Sequence, residues 1–211
     1  METRPKNQYL DFWQERYDSG ETPWDLGGPA PFFRHWLANC PLEYYKPGTM
    51  AVPGCGRGHD AALFAAAGFE TTGFDYAPGA VAAAQALYGD TIQGNALKWV
   101  QADWFHLDSL YNGHFDYILE HTCFCAINPK RRVQYVSVAH RLLKPGGKLL
   151  GIFWDIEDPE GPPFGVSIAA LPSYFESAFE ILSVEPIAPA LRCRENGMEY
   201  FVIMQARICP L

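Results

Sequence analysis

The stretch Ala51-Val52-Pro53-Gly54-Cys55-Gly56-Arg57-Gly58-His59-Asp60 decides the fold of this chain. A short apolar segment rich in strand-forming residues leads into its three alternating glycines, and an alanine-rich, helix-forming segment at residues 61–67 follows them. A strand, a glycine-rich turn and a helix in this order present bare backbone N–H groups and a helix N-terminus to a nucleotide-like ligand. The stretch therefore predicts the ligand-binding turn of an α/β sheet.

The spacing of the glycines limits what this turn can bind. G-x-G-x-G is neither the G-x-G-x-x-G of dinucleotide-binding turns nor a P-loop with its Lys-Ser/Thr pair. A tight turn without a ligand stays open as the alternative. Asp75 ends the next predicted strand, about 20 positions after Gly54, where an acidic side chain can bond both hydroxyls of a ribose. Asp75 can also cap the helix that follows, and the two roles are compatible.

The composition is that of one globular domain. The chain has 211 residues, of which 48% are hydrophobic, enough for one sizeable core. The net charge of −8 argues against nucleic acid or an anionic membrane as a partner, and a solvated acidic surface explains the charge equally well. No apolar run approaches the roughly 20 residues of a membrane span, and residues 1–11 lack a secretory signal. We therefore expect a cytoplasmic protein with no nucleic-acid or membrane partner.

The cysteines are expected to be thiols, because nothing indicates a secretory context. They occur at positions 40, 55, 123, 125, 193 and 209. Cys123 and Cys125 have the wrong spacing for a zinc site, and no His/Cys pair completes one. No metal is expected.

The alternation of strand-like and helix-like segments predicts a doubly wound α/β fold. Strands are expected at residues 49–52, 70–75, 98–101, 116–120, 148–154, 181–185 and 200–207. Helices are expected at residues 9–17, 31–37, 61–67, 78–88, 129–143 and 168–178, the last broken by Pro172. The result would be a Rossmann-like sheet of about seven strands, mostly parallel with an antiparallel edge strand, and with helices on both faces. Residues 1–45 would form an N-terminal helical lid on a core of residues 46–211, together a single domain.

Two further predicted strands end in polar residues at the edge of the sheet where α/β proteins bind ligands. Asp103 and Trp104 follow the third strand and could hold an adenine, or form an Asp turn beside a partly buried Trp. Glu120 and His121 end the fourth strand. A histidine there is usually structural, and a general base lining a substrate pocket is the alternative.

With these motifs the chain resembles class I S-adenosylmethionine-dependent methyltransferases. More narrowly, it is similar to the thiopurine methyltransferase-like family, and closest to the thiol and halide methyltransferases. The matching segments are Pro23-Trp24-Asp25-Leu26-Gly27, residues 52–60, Gly73-Phe74-Asp75, Ala102-Asp103-Trp104-Phe105, Phe124-Cys125-Ala126-Ile127-Asn128-Pro129, Leu142-Leu143-Lys144-Pro145-Gly146-Gly147 and Gly161-Pro162-Pro163-Phe164. The Val-Pro-Gly-Cys-Gly start of residues 52–60 and the Phe-Cys-Ala-Ile-x-Pro run are specific to the family, whereas Leu-Leu-Lys-Pro-Gly-Gly is common to many methyltransferases.

The resemblance implies S-adenosylmethionine as the cofactor. The turn glycines would approach its methionine and ribose, acidic and aromatic residues after the second and third strands would hold ribose and adenine, and aromatic lid residues would cover it. The expected cofactor-binding residues are Trp13, Tyr17, Trp24, Gly54, Gly56, Gly58, Asp75, Tyr76, Asp103 and Trp104. An aromatic face near the sulfonium contributes about 0.5–2 kcal/mol by cation–π attraction. Packing without cofactor contact is the alternative for Trp13 and Trp24.

The acceptor is the open part of the function. The resemblance implies transfer to a small soft nucleophile such as a thiol, hydrosulfide or halide, which needs no obligatory general base. The plant-type relatives carry a tyrosine at the end of the fifth strand, where this chain has Trp154. We expect an apolar substrate pocket lined by Phe33, Phe124, Trp154 and Phe164.

Three alternatives remain at this point. The acceptor could be larger, namely an aromatic thiol, thiopurine, metalloid or oxygen nucleophile, and an oxygen acceptor would need Glu120 or His121 as its base. The chain could also bind S-adenosylmethionine without catalysis. A nicotinamide oxidoreductase is disfavoured by the glycine spacing. The expected partner is a small-molecule acceptor, and the expected assembly is a monomer or weak homodimer.

Overall fold

The computed structural model describes residues 8–39, 45–156 and 160–208. Its strands are β1 Thr49–Pro53, β2 Glu70–Asp75, β3 Thr91–Ile92, β4 Asn95–Gln101, β5 Phe115–His121, β6 Leu143–Asp155, β7 Phe179–Pro186 and β8 Met198–Ala206. Its α-helices are α1 Gln8–Ser19, α2 Pro31–Asn39, α3 His59–Ala66, α4 Pro78–Tyr88, α5 Cys123–Ala126, α6 Arg132–Leu142 and α7 Leu171–Phe175. Cys40 and Cys209, both expected to be thiols, lie outside the described residues.

Within the described part of the chain, the strands form one eight-stranded sheet in the order β3-β4-β2-β1-β5-β6-β8-β7. The five strands from β4 to β6 are parallel, whereas β3 and β8 run antiparallel to their neighbours. The expected α/β class and Rossmann-like sheet are confirmed. The antiparallel strand β8 lies inside the sheet, between β6 and β7, while the two-residue β3 is an antiparallel strand at the opposite edge.

Most predicted boundaries differ from the structure by a few residues, and three differences have a clear local cause. The segment predicted as one helix from Pro129 begins as a 3-10 turn, where the side chain of Asn128 accepts from Lys130 N, and the α-helix starts only at Arg132. Residues 144–147, which lie between the predicted helix and the predicted fifth strand, belong to β6, which already begins at Leu143. Pro172 does not break a helix, because it occupies the first turn of α7, where its missing N–H costs nothing.

The sheet separates two hydrophobic layers. One lies under α6 and α7 and contains Trp104, Tyr135 and Phe175, and the other lies under α2 and α3 and contains Phe33 and Phe64. Since β1 pairs with β2 on one side and β5 on the other, a crevice opens at the carboxyl ends of β1 and β5, the usual ligand position in open α/β sheets.

The N-terminal helix is fastened to this edge of the sheet. The side chain of Gln14 in α1 accepts a 2.8 Å hydrogen bond from Gly79 N in α4. The aromatic residues of α1 are therefore held above the glycine-rich turn. No helix among the described residues is both long and apolar enough to cross a membrane.

Candidate functional site

The glycine-rich turn needs glycine at all three positions, for different reasons. Gly54, Gly56 and Gly58 have φ of 55°, 55° and 80°, a region that side chains with a Cβ rarely adopt. A Cβ on Gly58 would lie 2.2 Å from the Trp99 ring, so this glycine allows close packing in the core. A Cβ on Gly56 would lie 3.2 Å from the Tyr17 hydroxyl, so Gly56 is the glycine that faces the lid.

Asp75 fixes the shape of this turn from the end of β2. Its two carboxylate oxygens accept hydrogen bonds of 2.9 Å from Gly56 N and Ala77 N. Burial raises the pKa of Asp75 to about 6, although these backbone N–H groups oppose the rise. A carboxylate has about four acceptor positions, so Asp75 can still accept from the hydroxyls of a ribose. The predicted cap role is wrong: the N-cap of α4 is Ala77, which has no side-chain cap hydrogen bond, and Asp75 binds the backbone just ahead of that helix. The ligand role stays a prediction.

The residues expected around the adenine divide between surface and core. Tyr76 is half-buried, and both burial and the nearby Asp103 raise the pKa of its phenol. Asp103 accepts from Phe105 N at 3.0 Å and pairs with His106 Nδ1 at 2.8 Å. Trp104 is buried and stacks on the Tyr135 ring with 5.7 Å between centroids. Its indole Nε1 has no hydrogen-bond partner among the described residues.

The lid brings its three predicted aromatic residues together. The Trp24 ring makes edge contacts with Trp13 and Tyr17 at centroid distances of 5.2 and 6.0 Å. Burial, and next the charge of Asp75, raise the pKa of the Tyr17 phenol, which stays protonated. The aromatic cluster therefore closes over the glycine-rich turn on the side of Gly56.

A first cavity, which we call the cofactor pocket, lies between this turn and the lid. It has an empty volume of about 540 Å³. Its walls include Trp24, Asp25, Gly54, Gly56, Arg57 and His121. Of the expected cofactor-binding residues, Trp24, Gly54 and Gly56 line this pocket, whereas Trp13, Tyr17, Gly58, Asp75, Tyr76, Asp103 and Trp104 do not. Bare glycines beside the Trp24 ring fit the methionine arm of S-adenosylmethionine, because its sulfonium is cationic.

His121 is held in its charged form beside this pocket. Its Nδ1 lies 2.7 Å from Asp60 Oδ2, and the other oxygen of Asp60 accepts from Ala30 N at 2.8 Å. Burial alone lowers the pKa of His121, but the Asp60 carboxylate overrides this effect and raises it to about 10. At neutral pH His121 already carries its proton, so it is poorly suited to be the general base that we considered.

Glu120, the other candidate base, is anchored by the protein itself. It is fully buried, accepts from Phe124 N at 2.8 Å and accepts from the Tyr135 hydroxyl. Burial raises the pKa of Glu120 to about 7, opposed mainly by the Tyr135 hydrogen bond. These contacts tie the turn after β5 to α6, which is a positioning role.

A second cavity, which we call the acceptor pocket, opens beside the first. It has an empty volume of about 240 Å³ and, besides Glu120, Thr122 and Arg194, is lined by apolar side chains from α5, the end of β6 and the loop that follows β6. These are Phe124, Cys125, Ile152, Phe153, Trp154 and Val166. Thr122 lines both cavities, with a φ of 69° that is strained for a β-branched residue. The two cavities therefore meet at Thr122.

One cation enters the acceptor pocket. Arg194 lies over the Trp154 ring, 4.6 Å from its centroid, and its Nη1 is 2.6 Å from Glu199 Oε1. Glu199 is fully buried and also accepts from Cys193 N, while Trp154 Nε1 donates to Asn196 O. The segment from residue 193 to 199 is thus folded so that Arg194 faces the pocket.

Two of the four expected pocket residues lie elsewhere. Phe33 is completely buried between Phe64 and Phe201 and lines neither cavity. Phe164 also lines neither cavity; its backbone N–H donates to Cys125 O, and its carbonyl accepts from Arg132. Both residues support the pocket walls from behind.

Sequence reasoning missed the charged residues Asp25, Arg57 and Arg194. Asp25 and Arg57 are part of motifs that were recognised, but no role followed from their type alone. Arg194 lies in a polar connection that carries no motif, and only the folding of that connection onto Glu199 reveals it.

The described cysteines are free thiols, at positions 55, 123, 125 and 193. A Cβ on Gly54 would lie 3.1 Å from Cys123 Sγ, so this thiol lies against the glycine-rich turn. Burial raises the pKa of Cys123 well above its usual range. Since the thiolate is the nucleophile, a protonated Cys123 does not compete with an acceptor for a methyl group.

Comparisons with known proteins agree with this geometry. The family model for thiopurine S-methyltransferase (TPMT) matches residues 8–202. The chain is 32% identical over 158 residues to thiocyanate methyltransferase 1 of Brassica oleracea, covering 74% of this chain and 68% of the relative. It is 29% identical over 171 residues to a thiopurine S-methyltransferase of Aliivibrio fischeri, covering 74% and 78%.

Solved structures of other proteins have a similar fold. One is the 1,6-didemethyltoxoflavin-N1-methyltransferase of Burkholderia thailandensis with bound 1,6-didemethyltoxoflavin and S-adenosylhomocysteine. It superposes with a TM-score of 0.71 at 18% identity, and the match covers 98% of this chain and 92% of that one. At this identity the similarity establishes the fold alone.

Proposed function

The chain belongs to the thiopurine S-methyltransferase family and is an S-adenosylmethionine-dependent methyltransferase, and we propose that its acceptor is a small, soft nucleophile bound beside Trp154. The acceptor classes that fit are a thiol, hydrosulfide or halide. The observation that carries this proposal is the acceptor pocket itself. It is small, lined by apolar and aromatic side chains, carries the cation Arg194 and meets the cofactor pocket at Thr122.

The size of the acceptor pocket favours a small acceptor. Its empty volume of about 240 Å³ is less than half the 540 Å³ of the cofactor pocket, and Phe124 and Trp154 take up part of its wall. A thiopurine is the larger alternative, and it would have to displace these aromatic rings.

The charge of the pocket favours an anion. Arg194 and Glu120 both line it. The Glu120 carboxylate is tied to Phe124 N and the Tyr135 hydroxyl, whereas Glu199 binds one nitrogen of Arg194 and leaves the rest of the guanidinium available. Apolar neighbours remove water from an anion and strengthen its attraction to the guanidinium. The relative named for thiocyanate, a small sulfur-containing anion, supports the same class of acceptor.

The chemistry needs alignment more than proton transfer. Bound S-adenosylmethionine supplies a methyl group on a sulfonium leaving group. The protein holds the acceptor in line with that methyl, which can contribute about 7–11 kcal/mol in well-oriented cases. The acceptor's lone pair forms the new bond to carbon as the carbon–sulfonium bond breaks. An anionic acceptor requires no base, in accord with a protonated His121 and an anchored Glu120.

Methyl transfer by the purified protein tests this proposal. We expect methylated product from iodide, hydrosulfide and small thiols, each measured by gas chromatography, together with S-adenosylhomocysteine. Binding of S-adenosylmethionine without turnover on any thiol, halide or selenol would overturn the acceptor assignment and favour a binding protein. Turnover confined to oxygen acceptors would overturn it as well.

A further inference from the structure

The walls of the cofactor pocket carry charges that the adenosine and the methyl group do not explain. Asp25, Arg57, Asp60 and His121 all line it. His121 pairs with Asp60 through Nδ1, and its buried Nε2 is a single donor without a hydrogen-bond partner among the described residues. Asp25 and Arg57 form a second pair, which joins the lid to the glycine-rich turn. Of the two cations, Arg57 has the more donors to offer a ligand, because a guanidinium carries five.

Arg57 is poorly satisfied by the protein. Its Nε lies 2.7 Å from Asp25 Oδ2, but it is buried and makes no directional hydrogen bond there. Its two terminal nitrogens have no partner among the described residues, and 34% of the side chain is exposed. A guanidinium has five donors in a planar fork that matches a carboxylate. Arg57 therefore has most of its donors free at the wall of the pocket.

Asp25 is arranged differently, as a fixed negative charge. Its Oδ1 accepts from Gly27 N at 2.9 Å and lies 3.1 Å from His59 Nε2, while His59 Nδ1 lies 2.6 Å from the Tyr88 hydroxyl. The carboxylate is therefore held rigidly beside Arg57. The pocket thus presents a positive and a negative group side by side, the pattern that is complementary to a zwitterionic amino acid.

We propose that Arg57 binds the α-carboxylate of the cofactor's methionine arm, with Asp25 as the counter-charge that orients Arg57 and faces the α-ammonium group. Asp75 holds the opposite end of the turn through Gly56 N, so ribose and amino-acid recognition are divided between the two sides of one loop. A guanidinium–carboxylate pair is charge-assisted and can be bidentate, which gives it both strength and direction. This inference concerns the cofactor and is independent of which acceptor is methylated.

Calorimetric binding of two ligands tests it without any turnover. The probes are S-adenosylhomocysteine and its decarboxylated analogue, which keeps the amine and lacks the carboxylate. We expect the wild type to bind S-adenosylhomocysteine at least tenfold more tightly, and Arg57→Met to weaken that binding about tenfold to a hundredfold, the usual effect of losing a charged hydrogen bond. Arg57→Met should leave the affinity for the decarboxylated analogue within twofold, and Arg57→Lys should recover part of the loss.

Arg16→Met is the matched control. Arg16 is also on the lid side, is 35% exposed, pairs loosely with Glu21 at 3.9 Å and lies over the Phe12 ring on the same helix, and it does not line the cofactor pocket. We expect no change in either affinity. If Arg57→Met weakens the binding of both ligands equally, Arg57 only joins the turn to the lid through its ion pair with Asp25, and the proposal is overturned. Equal affinities of the wild type for the two ligands would overturn it even without a folded variant.

Discussion

His121 and Asp60 form an ion pair of 2.7 Å at the junction of β5 and α3, where an acceptor and a cofactor would meet. The pair is almost fully buried, and Asp60 is in turn fixed by Ala30 N. A histidine that is already protonated cannot accept a proton from a substrate. The site is therefore suited to acceptors that arrive as anions, and this relationship leads to the first prediction.

Replacing His121 by Gln should change the unfolding free energy of the protein more than its rate of methyl transfer. The folded pKa of about 10 lies above the ordinary value of 6.5, so the stabilisation is complete below pH 6.5 and is lost as the pH rises towards 10. We expect the difference in unfolding free energy between wild type and His121→Gln to shrink across that window in urea titrations. Methylation of iodide should survive in the variant, and its abolition in a folded protein would show that His121 acts on the acceptor.

Replacing Arg194 by Met should lower kcat/KM more for anionic acceptors than for neutral ones. We expect kcat/KM for iodide and hydrosulfide to fall about tenfold to a hundredfold, because a desolvated anion loses its counter-charge. A neutral acceptor such as dimethyl sulfide should be affected less than threefold. Arg192→Met is the control, since Arg192 donates to Ile187 O and does not line the pocket. Equal losses for both classes of acceptor would contradict a charge-selecting role.

Trp24 should favour the cationic form of the cofactor. Its indole lies over the glycine-rich turn and lines the cofactor pocket. Removing it with Trp24→Leu should weaken binding of S-adenosylmethionine by about 2- to 30-fold more than binding of neutral-sulfur S-adenosylhomocysteine, the range of a cation–π contact. Calorimetry with both ligands measures this ratio. An unchanged ratio would mean that Trp24 only packs.

The turn should tolerate no side chain at Gly58. Gly58→Ala would place a Cβ 2.2 Å from Trp99 at a φ of 80°, so we expect a loss of about 2–5 kcal/mol in unfolding free energy from overpacking and backbone strain together. Gly94→Ala is the matched control, because Gly94 has a φ of 82° and nothing within 4 Å. The Gly94→Ala variant should lose only the unfolding free energy that backbone strain accounts for, about 1–2 kcal/mol. Similar losses in both variants would contradict the packing role of Gly58.

The sequence predicted the parts of the fold that depend on local pattern. The strand from Glu70 to Asp75 and the helix from Pro78 to Tyr88 were predicted to the residue, because Pro, Gly and Asp mark their ends. The β8 position between β6 and β7 depends on long-range pairing, and the local pattern of two closing strands could not reveal it.

The candidate site likewise contains residues that a local motif predicts and residues that distant contacts place. The turn glycines and Asp75 stand in one motif and lie together, joined by the Gly56–Asp75 hydrogen bond. Phe33 was placed in the pocket for its aromatic character, but burial between Phe64 and Phe201 decides its position. Arg194 acquires its position from Glu199 and Trp154, which are distant contacts that no local pattern encodes.

The most direct test of the central claim is the ratio of kcat/KM for hydrosulfide to that for 6-mercaptopurine, measured with saturating S-adenosylmethionine at one pH. An acceptor pocket with less than half the empty volume of the cofactor pocket, about 240 against 540 Å³, and with Phe124 and Trp154 in its wall predicts a preference for hydrosulfide of at least about tenfold. An equal or greater kcat/KM for the purine thiol would contradict a small-acceptor enzyme and assign the chain to the larger-acceptor alternative.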